Sequence, residues 1–88
     1  MAPEAWIPTQ LQPLTGGVRR VSASGGTVGE VVAELERRFP GIEARLVHEG
    51  EVMPGMTVVV DGDQTQLGLL QPVEESSEVH FIPAVGGG

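Results

Sequence analysis

The last eleven residues read "EVHFIPAVGGG": a strand-like apolar run, then Gly86, Gly87 and Gly88, with a bare carboxylate on the final residue. Residues without side chains can thread a narrow channel and place their carboxyl carbon beside another protein's reacting group. The chemistry open to such a tail is acyl chemistry. A carboxylate oxygen leaves poorly, so exchange at that carbon requires activation, and adenylation supplies a good leaving group. The plainer reading is frayed chain, since glycine-rich termini commonly go unordered. Ordering each residue costs roughly 1–2 kcal/mol, which docking of a folded domain would have to offset.

Little else in the chain invites catalysis. It contains no cysteine, which removes disulfides, thiolate metal sites, iron–sulfur clusters and cysteine nucleophiles. His48 and His80 stand far apart and lack metal-ligand spacing, so both read as ordinary surface or strand histidines. The carboxylates Glu43, Glu49, Glu51, Asp61, Asp63, Glu74, Glu75 and Glu78 read as a solvated face, a minority of which could meet basic residues on a partner.

Twelve acids against five bases leave a net charge of −7. That balance disfavours nucleic acid, whose phosphates it would repel, and suits either solubility or a partner with a basic docking face. All five bases are arginine and lysine is absent. An acyl group activated on this chain could therefore not be captured by one of its own side-chain amines, although a compositional bias explains the absence equally well.

With 88 residues the chain has room for one domain. No apolar run is long enough for a bilayer, and "MAPEAWIP" has neither the basic nor the apolar region of a signal peptide. The expectation is a cytoplasmic protein without membrane contact.

Around the tail the sequence lays out one helix and several strands. "EAWIPTQLQPLTGG" alternates apolar and polar positions up to a Thr15-Gly16-Gly17 turn, and "VRRVSAS" follows, which predicts a hairpin with Pro8 and Pro13 at bends or an edge. Thr27 and Glu30 have capping-box spacing. Val28, Val31, Val32, Leu35 and Phe39 then form one helical stripe, with Glu34, Glu36, Arg37 and Arg38 turned to water and Pro40-Gly41 as the stop. The predicted helix is 28–39. Ile42, Leu46 and Val47 fit a short helical turn over one end of the core. "TVVV", 57–60, reads as a strand covered on both faces or central in its sheet, ended by Asp61-Gly62. A loop with one helical turn leads to a last strand over 78–82, stopped by Pro83. Phe81 reads as core, with partner contact as the alternative.

One helix across a mixed sheet is an α+β, β-grasp (ubiquitin-like) arrangement, expected over residues 1–85 with 86–88 as a flexible tail. This order, ending in Gly-Gly, resembles the ubiquitin-like sulfur-carrier proteins of the MoaD, ThiS and CysO group. "IPTQLQPLTGG" with "VSASGGTVGEVVAELE", and "IPAVGGG", are most similar to the CysO-like carriers. The likeness is weakest between Ile42 and Gly55, and Gly86 departs from the small non-glycine residue expected before the doublet.

The resemblance implies a protein substrate rather than an enzyme. An E1-like adenylyltransferase and sulfurtransferase, using ATP and magnesium on its own surface, would adenylate Gly88 at the end of the Gly86–Gly87 tail. Sulfur from a persulfide would displace AMP and leave a thiocarboxylate, which would then serve a sulfur-accepting biosynthetic enzyme. Cysteine formation and the thiolation of secondary metabolites or cofactors are the implied destinations. The alternative is a ubiquitin-like modifier joined through Gly88 to target lysines.

Overall fold

The computed structural model describes residues 2–83. Seven strands run in chain order: β1 Glu4–Trp6, β2 Arg20–Ser22, β3 Val47–His48, β4 Glu51–Val52, β5 Met56–Val60, β6 Asp63–Gln64 and β7 Glu78–Pro83. The helices are α1 Val28–Arg38 and α2 Glu43–Leu46, with 3₁₀ turns at Thr9–Thr15 and Gly68–Leu70. Five strands form the main sheet in the order β2-β1-β7-β5-β6, and β3 with β4 makes a separate hairpin. β1 runs parallel to β7, while the other neighbours in the main sheet are antiparallel. The result is the α+β, β-grasp architecture.

Local chemistry accounts for α1. The Thr27 side chain accepts the Glu30 amide at 3.2 Å, and the Glu30 carboxylate accepts the Gly26 amide at 2.7 Å, one residue before the cap. Gly25 is required here: a Cβ would lie 2.8 Å from the Val31 nitrogen, and its φ is +159°. The stripe Val28, Val31, Val32 and Leu35 is buried to within 1 % and packs on the sheet. Phe39 caps the helix, its amide bonded to the Leu35 carbonyl, and packs half-buried against the core.

At the far end of α1, Glu36 is occupied rather than turned to water. Its carboxylate accepts the amides of Gly41 and Glu43, at 3.0 and 2.8 Å, and ties the helix to α2. Those two amides hold its carboxyl below the ordinary value of 4.5, the Glu43 bond most. α2 buries Leu46, with Ile42 just before it, as the short-turn reading anticipated.

One strand reading needs correction, and the structure decides between the two alternatives of another. The extended first arm of the hairpin stops at Trp6, because Pro8 has no N–H for a ladder and the chain winds into the Thr9–Thr15 turn. The hairpin itself is present, closed by a Gly16 in left-handed conformation at φ 67°. The Val58-Val59-Val60 run lies inside the sheet, but only one face is covered: Val58 and Val60 are buried and Val59 is half-exposed. Among the described residues, the buried side chains of β5 and β7 face one side of the sheet. The described part of the 1–85 domain ends at Pro83, and the tail 86–88 lies outside the described residues.

Candidate functional site

Any tail beyond residue 83 leaves from β7, so the surroundings of β7 define the approach. β7 is the middle strand of five, gripped by β1 along Glu78–His80 and by β5 from Val79, opposite Val60, to Pro83, opposite Met56. Alternation sends Val79 and Phe81 into the core, 0 % and 4 % exposed, and Glu78, His80 and Ile82 to the open face. The core reading of Phe81 holds.

Asp61 locks the start of β7. It adopts φ 52°, uncommon outside glycine but accessible to aspartate. Its carboxylate accepts the buried Ser77 hydroxyl at 2.8 Å and the Glu78 amide at 2.9 Å, and its own amide donates to the Glu78 carbonyl at 3.0 Å. Asp61 is thus a brace and does not belong with the free surface acids, although it stays exposed.

The open face carries a row of side chains in register. Arg20 on β2 lies opposite Trp6 on β1, Trp6 opposite His80 on β7, and His80 opposite Val59 on β5. The Trp6 and His80 rings stack at 4.9 Å with 12° between planes. The Arg20 guanidinium sits 5.0 Å from the Trp6 centroid, within cation–π range. Ile82, 46 % exposed, prolongs the face toward the tail. His80 also lies 3.4 Å from the Glu78 carboxylate.

Of the residues singled out in the sequence, His48 is exposed at the β3–β4 hairpin and takes no part in this face, whereas His80 is at its centre. Gly86, Gly87 and Gly88 lie outside the described residues. Trp6 and Arg20 were not foreseen. Their parity along β1 and β2 was readable, but which strand would lie beside β1 was not. Among the described residues there is no cluster of three or more potential metal ligands, and no helix is long and apolar enough to cross a membrane.

Known proteins share this plan. The ThiS family model matches residues 6–88. The sulfur carrier protein CysO of Mycobacterium tuberculosis is 37% identical over 87 residues, covering 93% of this chain and 94% of that protein. In the crystal structure of the Amycolatopsis orientalis BexX/CysO complex, the matching chain superposes with a TM-score of 0.93 at 37% identity, covering 99% of this chain and 100% of that one. Small archaeal modifier protein 3 of Haloferax volcanii is 33% identical over 64 residues, 70% of each chain. The chain therefore belongs to the ThiS family of ubiquitin-like sulfur carriers.

Proposed function

We propose that the chain carries sulfur on Gly88 as a C-terminal thiocarboxylate. A Gly88 carboxylate oxygen attacks the α-phosphorus of ATP on an E1-like adenylyltransferase, and pyrophosphate leaves. The terminal sulfur of a persulfide attacks the acyl carbon, AMP leaves, and exchange with a second thiol frees the thiocarboxylate. ATP and magnesium belong to the activating enzyme. The folded domain contributes docking and the delivery of its tail, with no catalytic side chain of its own, in a cytoplasmic setting.

One observation carries this reading: similarity to the family runs through to residue 88, so the Gly87-Gly88 doublet is part of the match and directly follows the run leading out of β7. The sulfur then passes to a biosynthetic enzyme making cysteine, or thiolating a secondary metabolite or cofactor. Similarity to a CysO supports a cysteine-type or metabolite acceptor.

The likeness to a small archaeal modifier supports a second reading, in which the same adenylate is taken by a lysine of a target protein. The absence of lysine from this chain would hold such conjugates to single additions.

Intact mass spectrometry after incubation with ATP, a sulfur donor and an E1-like enzyme tests both. The carrier reading predicts a gain equal to one oxygen exchanged for sulfur, lost when Gly88 is deleted. An unmodified full-length chain under these conditions would end both readings.

A further inference from the structure

The charge of the chain is unevenly placed. Residues 1–45 hold five acids and all five arginines, whereas residues 46–88 hold the other seven acids and neither arginine nor lysine. The whole net charge of −7 therefore belongs to the second part, which supplies β3 to β7 and the Gly68–Leu70 turn.

The same part holds the two most exposed large apolar side chains among the described residues, Leu67 at 57% and Leu70 at 77%. The fold uses neither. Leu69 anchors the turn by packing against the core, and the Val28 amide donates to the Gln71 carbonyl at 2.9 Å just after it. Between this turn and β4 lies a groove of about 380 Å³, walled by Glu51 and Val52 on one side and by Leu67, Leu69 and Leu70 on the other. Glu49 and Gly50, at φ 53° and 79°, form the tight two-residue turn that holds the β4 wall against β3. A smaller groove of about 180 Å³ shares Val52 and Gly68 with the first and reaches Met56, which lies opposite Pro83.

Charge and exposure together select what covers these leucines. Glu51 is exposed and, among the described residues, has no basic partner, while Glu49 beside it meets only His48, at 3.9 Å. Nucleic acid and an anionic membrane would be repelled. A second copy joined through the same face would set one acidic part against another. A small molecule inside the groove would leave Leu70 standing in water. A protein surface that brings an apolar side chain and a base removes the leucines from water and meets Glu51 at once. This chain has such a combination in exposed Val18 beside Arg19 and Arg20, but it lies at the β2 edge of the main sheet, with Arg20 already set against Glu4 and Trp6.

We infer that the groove between β4 and the Gly68–Leu70 turn docks a partner protein through an apolar side chain flanked by lysine or arginine. The leucines supply the buried contact, and the acids orient the approach. A partner seated along both grooves is held beside Pro83, the last described residue of β7. Nothing in this inference depends on the chemistry of Gly88.

The test is a titration of the full chain, labelled with nitrogen-15, with acetyl-Arg-Leu-Arg-amide. Acetyl-Arg-Gly-Arg-amide, which lacks the anchor, and acetyl-Glu-Leu-Glu-amide, with its charge reversed, are run beside it. The first peptide should shift the Val52, Leu67 and Leu70 amides saturably, and each control should bind roughly tenfold more weakly. Leu70→Ser should weaken the first peptide roughly tenfold without lowering the melting temperature, because the fold leaves that side chain in water. Glu51→Gln should weaken it roughly threefold, and Glu75→Gln, the same loss of charge at an exposed site before β7, should not. The site is overturned by the absence of a saturable shift, by controls equal to the probe, by equal effects of Glu51→Gln and Glu75→Gln, or by unchanged binding in both groove variants. Self-association in sedimentation velocity that Leu70→Ser abolishes would overturn it too, since a second copy would then be the occupant.

Discussion

Trp6 and His80, seventy-four positions apart in the chain, stack with ring centroids 4.9 Å apart and planes 12° from parallel. They meet because parallel pairing of β1 with β7 sets them opposite one another on the uncovered face. The indole N–H, however, is buried without an acceptor among the described residues, which opposes part of the gain.

That balance predicts unequal substitutions. His80→Ala should cost about 0.5–1.5 kcal/mol by removing the stack. It should also move Trp6 fluorescence to the red, a clean signal because Trp6 is the only tryptophan. Trp6→Phe, which keeps a ring and removes the stranded donor, should cost less than His80→Ala. Urea denaturation of the two variants checks the order, and the reverse order would show that the indole N–H does find a partner in solution.

The start of α1 rests on two neighbouring features of different kinds. Thr27→Ala removes the acceptor of the Glu30 amide and should cost about 1 kcal/mol. Gly25→Ala forces a Cβ to within 2.8 Å of the Val31 backbone nitrogen and should destabilise more, because backbone must move. Thermal unfolding followed by circular dichroism should rank Gly25→Ala below Thr27→Ala.

Acid should weaken the α1–α2 junction. Bonds from the Glu43 and Gly41 amides lower the folded pKa of Glu36, so its contribution is complete above the ordinary value of 4.5 and is lost as pH falls through the lowered one. Glu36→Gln should therefore lower the melting temperature at pH 7, and its deficit relative to the parent should shrink below pH 4.5. A deficit that stayed constant through acid would show that shape, not charge, holds the junction.

Asp61→Ala should strand the buried Ser77 hydroxyl and the Glu78 amide, at about 1–3 kcal/mol. It also places alanine at φ 52°, where aspartate is better tolerated. Hydrogen exchange should accelerate first at the start of β7. Uniform acceleration across the sheet would mean that Asp61 supports global stability and does not lock β7 in particular.

What was legible in the sequence were features set by neighbours in the chain. Val28, Val31, Val32 and Leu35 share one side of α1 because 3.6 residues make a turn, and Thr27 reaches Glu30 because a cap spans three positions. The terminal glycines likewise prompted the proposed tail chemistry with no fold in hand. Tertiary structure decided matters that depend on which segments come together. Pro8 reads locally as a bend, yet where the first strand ends was settled by the chain winding into the Thr9–Thr15 turn. Asp61 looked like one more surface acid until Ser77 and Glu78 were brought against it. The valine run buries Val58 and Val60 and leaves Val59 half-exposed, because the core packs against one side of it. Local periodicity is written in bond geometry and shows in any short window, whereas strand order is settled by where distant apolar faces find burial together.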